Sequence, residues 1–204
     1  MHTRLIELHE NLQISVTEDT QFVVLVDPAF QTRGSTAPAS LTFELLFDTE
    51  GVKSEIIFLY KLSDSQSIQV VTVANHMVPN TSCETIVRGV LGEKARSNYT
   101  GKIIISKKAQ KTSSFLSDNV LVTGEHTHNI SEPLLQIEAD DVSASHGAVT
   151  GRVDDEQVYY LMSRGFSRSD AQSLIIEGFF ATVLNRLNDA KIREKVYARL
   201  TGVI

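Results

Sequence analysis

Over the first 150 residues, apolar positions come in short clusters separated by polar or glycine-containing turns. Phe22–Val26 is a compact apolar run ended by Asp27-Pro28, which predicts a buried strand and a turn. The polar, Gly/Pro-punctuated stretch from Ala29 to Ser40 predicts a loop. Leu41, Phe43, Leu45 and Phe47 then alternate with Thr42 and Glu44, a period-two strand whose polar face is broken by Leu46. Further strands are predicted at Glu55–Tyr60, Ile68–Ala74, Thr85–Leu91, Lys102–Ser106, Val120–Thr123, Leu134–Glu138 and Val142–Val149. Asp48-Thr49-Glu50-Gly51 and Ser63-Asp64-Ser65 are among the turns between them. Residues 1–20 fit either a short helix and a strand or two strands, through Leu5, Ile6, Leu8, Leu12, Ile14 and Val16. Many short strands without intervening helices imply a sandwich, a barrel or a β-solenoid, and periodicity alone does not choose among them.

The period changes within residues 134–166. Asp154 with Gln157 three residues on resembles a capping box, and Val158, Leu161 and Met162 form an i, i+3, i+4 stripe. Gly165 suits the residue after a helix end, and Ser167 with Asp170 offers a second start signal. Ala171, Leu174, Ile175, Gly178, Phe179, Val183 and Leu187 form one face of a longer helix; Tyr160, Ile176 and Phe180, partly off the main stripes, either complete the core or form an apolar patch for a partner. Ile192, Val196 and Leu200 continue at helical spacing toward Gly202. The predicted organisation is an N-terminal segment over 1–20, a β core over 21–152 and a helical domain over 153–204.

Length and composition fit a globular chain: 204 residues, 42% hydrophobic and 22% charged. The net charge of −6 argues against a general nucleic-acid binder. Residues 181–204 run the other way, with five Lys or Arg against two Asp or Glu, a solvated helix face or a surface for an acidic partner. The single cysteine, Cys83, excludes an intrachain disulfide. No apolar run approaches the roughly 18 residues needed to cross a bilayer. Met1–Gln13 carries charges within its apolar pattern and is not expected to be a signal peptide. A soluble cytoplasmic protein is expected, with the N-x-S/T triplets at Asn80, Asn98 and Asn129 as chance matches.

Three groups carry candidate chemistry. His126 and His128 flank Thr127, and on a strand both imidazoles would face one side, although Gly124 and Pro133 point to an exposed turn. Glu138, Asp140 and Asp141 are close in sequence, and Glu138 and Asp140 are expected to share a strand face. His146 sits among the small residues Ala144, Ser145 and Gly147, which leave room for a ligand at the ring; a neutral imidazole there can bind iron or zinc. No nucleophile elbow, P-loop or dinucleotide fingerprint is present.

The stretch IEADDVSASHGAVTGRVDDEQVYYLMSRGFSRSDAQSLIIEGFFATVL resembles the C-terminal signature of the SufB/SufD family of SUF iron–sulfur cluster assembly scaffolds. VPNTSCETIVRGVLGEKARSNYTGKI and SKKAQKTSSFLSDNVLVTG resemble the family's central region, in the same order. The resemblance covers roughly Phe22 to Leu187. It implies a right-handed parallel β-helix followed by a small C-terminal helical domain. Family members pair through their β-helices as homodimers or as SufB–SufD heterodimers. Their C-terminal helices dock the ABC-type ATPase SufC, which holds the ATP. By resemblance the docking surface here is the helical segment from Asp154 to Leu187, with Tyr160, Arg164, Phe166 and Phe179 contributing, although Phe179 also belongs to the apolar stripe.

For cluster chemistry the resemblance carries over unevenly. His146 matches the interface histidine of SufD-like members, but Ala144 stands where they have cysteine. Ser145 and Gly147 stand where SufB-like members have acids. The SufB cluster-binding cysteine falls at or near Asp118, a harder ligand than thiolate, and Cys83 matches no ligand position. The chain is therefore more SufD-like, and shorter at its N-terminus than usual members. The resemblance implies a non-enzymatic scaffold, with a transient iron–sulfur cluster near His146 and Asp118 and no nucleic-acid or membrane partner. Two rivals stand beside it: a structural SufC-binding subunit without cluster ligation, and a β-helix carbohydrate-active enzyme using Glu138, Asp140 and Arg152.

Overall fold

A computed structural model describes residues 1–26 and 40–202. The turn predicted at Asp27-Pro28 and the loop predicted over 29–40 lie outside the described residues, except that Ser40 opens a strand. The strands are β1 (His2–Leu8), β2 (Leu12–Ser15), β3 (Thr20–Val26), β4 (Ser40–Phe47), β5 (Lys53–Leu62), β6 (Ser67–His76), β7 (Ser82–Leu91), β8 (Arg96–Ile105), β9 (Thr112–Val122), β10 (His128–Ile137) and β11 (Val142–Arg152). Helices α1 (Asp155–Ser163), α2 (Arg168–Leu184) and α3 (Ala190–Thr201) follow. Odd-numbered strands form one sheet, in the order β1-β3-β5-β7-β9-β11, and even-numbered strands a second, in the order β10-β8-β6-β4-β2. Each strand pairs in parallel with the strand two elements away, so the chain winds as a β-solenoid. Residues 1–20 supply two strands that join the solenoid, which thus starts before residue 21.

Side-chain alternation sorts each strand into lumen and exterior. Register stacks Phe22, Ile56, Thr85 and Leu116 in one inward column of the odd sheet, and Val24, Phe58, Val87 and Asp118 in the next. Phe43, Phe47, Val70 and Tyr99 line the lumen from the even sheet. The exterior of the odd sheet is apolar too: Val23, Leu25, Ile57, Leu59, Ile86 and Val90 pack against Phe180, Val183, Leu184, Leu187, Val196 and Leu200 of the helical segment. Strands buried on both faces read as unbroken apolar runs, which accounts for Phe22–Val26 and Ile56–Tyr60.

Two local features hold the winding. Gly89 lies beneath the Tyr60 ring, and a Cβ at this position would stand 2.2 Å from Tyr60 Cζ. Only glycine lets the buried phenol run along the axis to accept from Ser97 Oγ at 3.2 Å. At the corners, Gly51, Asn80 and Lys111 occupy equivalent places before β5, β7 and β9, all with positive φ (81°, 59° and 58°). The repeat is one of backbone conformation rather than residue identity.

His76 closes another corner. Its Nδ1 lies 2.8 Å from Thr81 Oγ1, its Nε2 3.1 Å from Ser114 Oγ, and its ring stacks on Phe47 at 4.3 Å. Burial pushes the imidazole down from 6.5 to about 4.

The helices begin and end where capping chemistry directs. Asp154 caps α1 by accepting from Glu156 N–H at 2.9 Å, rather than through the expected pairing with Gln157. Gly165, at φ 97°, receives the chain after α1; its N–H donates to Met162 O while Phe166 N–H donates to Leu161 O, a Schellman closure. Ser167 caps α2 by accepting from Asp170 N–H at 3.1 Å. Ala171, Val183 and Leu187 of the predicted face are buried and Phe180 completes the core with them, whereas Leu174 is exposed. The odd sheet meets the helical segment along Phe180, Val183 and Leu184. Just beyond α2, Arg186 bonds Glu84 through both guanidinium ends (3.1 and 2.6 Å) and pairs with Glu55 at 2.7 Å, while its carbonyl accepts from Gln21 Nε2 at 3.1 Å. One residue thereby fastens the helices to three neighbouring strands.

Candidate functional site: the open last coil and the helical appendage

The solenoid ends in an open coil. β11 is the terminal strand of the odd sheet and β10 of the even sheet, so each offers an unpaired backbone edge. Leu134, Leu135 and Ile137 of β10 are 48%, 38% and 39% exposed, and Val149 of β11 is 63% exposed, so this end is apolar and uncovered. Inner coils with the same alternation bury their counterparts completely, as at Ile103 and Ile105 beneath Leu135 and Ile137.

His146 lies mid-way along β11, paired with Leu116 of β9, and is exposed. By alternation it faces inward with Ala144, at the mouth of the lumen. Asp118 pairs with Ala148, which places it on the same face as His146, one strand below and two residues along. Unlike His146 it is buried, at 1% exposure. Ser131 Oγ donates to Asp118 Oδ2, while Oδ1 has no hydrogen-bond partner. Burial raises the Asp118 carboxyl to about 6, opposed by the Ser131 bond and the Arg88 charge. Cys83 is also in the lumen but two strands below β11, with its thiol pushed up to about 12 by burial. A thiol so protected is protonated at neutral pH and is no ligand as it stands.

Among the described residues, no three His, Cys, Asp or Glu side chains gather into a metal-binding group. His126 lies in the turn before β10 and His128 opens that strand; both are exposed. Glu138, Asp140 and Asp141 form the corner between β10 and β11, so Glu138 and Asp140 do not share a strand face as expected. The ladder stops at Ile137, and the corner is held instead by Lys111 N–H donating to Asp141 O and by Asp141 N–H donating to Gln110 Oε1. Arg152 ends β11, and no hydrogen bond or ion pair among the described residues joins it to these acids.

A second exposed surface belongs to α1 and its exit. α1 packs on α2 along one edge, burying Val158 and leaving Leu161 half-buried and Met162 exposed, a narrower stripe than predicted. Tyr159 is 75% exposed and Tyr160 57%, with Arg164 Cζ lying 5.1 Å from the Tyr160 ring centroid. Phe166 is exposed beside them, and a groove of about 410 Å³ runs past Tyr160, Leu161 and Ile175. Phe179 stands apart: it is half-buried on the helix–sheet seam, with Arg88 Cζ 5.8 Å from its ring. Tyr159 and Met162 belong to the exposed patch and were missed as surface residues. An adjacent tyrosine pair on a charged helix was the signal available.

The described residues form a parallel β-solenoid with an open apolar end and a C-terminal helical appendage. The match to known proteins is specific. Residues 31–179 match the SufBD core domain of SUF-system FeS cluster assembly, and the chain belongs to that family. It is 40% identical over 111 residues to the iron-sulfur cluster assembly protein SufD of Escherichia coli, covering 54% of this chain and 26% of that protein. The corresponding SufD of Bacillus subtilis is 41% identical over 99 residues, covering 48% and 23%. A SufBD family protein of Mycobacterium leprae is 30% identical over 162 residues, covering 76% and 41%. The chain thus spans less than half the length of these relatives.

Proposed function

We propose that this chain is a non-enzymatic scaffold subunit of a cytoplasmic SUF-type complex that assembles iron–sulfur clusters. Its open last coil pairs with a second solenoid, either another copy or a SufB-like subunit, and its helices dock a SufC-type ABC ATPase. The uncovered apolar end at Leu134, Leu135, Ile137 and Val149 carries this reading, because an exposed solenoid end with free strand edges favours a partner. Tyr160, Arg164 and Phe166, joined by Tyr159 and Met162, form the ATPase-facing patch. Phe179 lies outside this patch, on the helix–sheet seam. No helix among the described residues is long and apolar enough to cross a membrane.

The cluster is cargo in this reading, and the chain brings one borderline ligand to it, the exposed His146 imidazole. Asp118 offers hard oxygen and Cys83 is sequestered, so sulfide-cluster binding draws its thiolates from the partner. A structural subunit without ligation is the second reading, favoured because among the described residues no group of three His, Cys, Asp or Glu side chains gathers around His146. Anaerobic cluster reconstitution of the assembled complex separates the two. With His146→Ala, loss of bound iron and sulfide with assembly intact supports ligation; unchanged content supports the structural subunit. If Tyr160→Ala with Phe166→Ala leaves ATPase binding unaltered, the helical patch is not the docking surface.

A further inference from the structure

We propose that the mouth of the lumen holds a hard-cation site formed by the oxygens of Asp118, Asn129, Ser131 and Thr150. These residues lie on β9, β10 and β11. Asn129 and Ser131 share one face of β10, and Ser131 reaches across to Asp118. Asn129 Nδ2 donates to Thr150 Oγ1 at 2.9 Å. The Ser131 hydroxyl and one Asn129 N–H are therefore engaged, and the two atoms left without a partner at this place are Asp118 Oδ1 and Asn129 Oδ1. With the Asp118 carboxyl ionised, two acceptor oxygens cannot satisfy one another. Leaving a buried carboxylate oxygen bare costs free energy, and a cation removes the cost for both groups.

The surroundings favour a cation over a neutral donor. Asp118 brings a full negative charge into a lumen lined by Val87, Leu116 and Val120. The Arg88 guanidinium acts on it from the other face of the sheet, where it binds Val87 O at 2.9 Å and lies over Phe179. One carboxylate, one amide carbonyl and two hydroxyls make an oxygen-only set, which suits calcium-like ions. Soft iron–sulfide chemistry is not matched by these ligands. The site shares the lumen face with His146 without using its ring, and it depends on neither the ATPase nor the pairing proposed above.

Terbium(III), a calcium surrogate, tests it on the whole chain. Tyr60 and Tyr99 are buried close enough to Asp118 to feel its charge, and the chain has no tryptophan. A bound terbium ion is therefore excited through these phenols. The expected result is saturable emission displaced by calcium, weakened about tenfold or more by Asp118→Asn. Asn129→Asp, which adds a charged oxygen, should tighten calcium binding measured by calorimetry. Tyr60→Phe should dim the emission while leaving calcium affinity unchanged. His146→Ala and the corner pair Asp140→Asn with Asp141→Asn should leave both untouched. Emission that follows the corner acids, survives Asp118→Asn in a folded protein, or gains nothing from Asn129→Asp overturns the site. If Asp118→Asn does not fold, Asn129→Asp and Tyr60→Phe still decide.

Discussion

Replacing His76 with glutamine should remove a defined acid sensitivity from the solenoid. The imidazole is solvent-inaccessible, stacked on Phe47 and held between the Thr81 and Ser114 hydroxyls. Hydroxyls can donate or accept, so they satisfy either protonation state, and burial sets the direction of the shift from 6.5 to about 4. The folded protein keeps His76 neutral while the unfolded chain binds a proton below its ordinary pKa. Its contribution is full above about 6.5, falls as pH drops toward 4, and is constant below that. The span corresponds to about 3 kcal/mol. Urea unfolding followed by circular dichroism at several pH values gives the stability difference between wild type and His76→Gln. That difference should be flat above pH 6.5 and change by about 1.4 kcal/mol per pH unit through the window. A difference independent of pH would refute the reasoning, since it would mean that the folded protein protonates His76 as readily as the unfolded chain.

Other consequences follow from particular contacts. Gly89→Ala should destabilise by about 1–3 kcal/mol through overpacking against Tyr60, with partial rescue by Tyr60→Leu in a double-mutant cycle. Lys111→Gly should stabilise by about 0.5–1 kcal/mol in thermal melts, because it relieves a left-handed lysine at φ 58°. Arg186→Ala leaves Glu55 without its cation and should cost about 1–3 kcal/mol, with faster amide exchange in α2 and α3 than in the strands.

Fold elements were legible where one residue type had one physical use. Phe22–Val26 could only be a strand buried on both faces, and Asp154, Gly165 and Ser167 mark helix ends because cap geometry selects them. The polar halves of β8, β9 and β10 were not legible. Arg96-Ser97-Asn98, Thr112-Ser113-Ser114 and His128-Asn129 carry no apolar period, and parallel pairing with the neighbouring coil makes them strand. Residues 1–20 were ambiguous for the same reason: β1 and β2 are strands because β3 and β4 lie beside them. Lys111 at a left-handed corner resembles no turn signal and is fixed by its hydrogen bond to Asp141 O. Among site residues, His146 was visible through its small neighbours. The burial of Asp118 was not, since it requires knowing which face of β9 meets the lumen and that Ser131 stands opposite. Leu174 is exposed although it lies on the expected apolar face, because the odd sheet meets α2 along Phe180, Val183 and Leu184.

The most direct measurement is the solution mass of the purified chain, alone and after mixing with a purified SufC-type ATPase, by light scattering. Pairing of two copies through β10 and β11 predicts a dimer that Leu135→Glu converts to a monomer, and helix docking predicts one ATPase bound per chain. A wild-type chain that stays monomeric and binds no ATPase would contradict the proposed scaffold role.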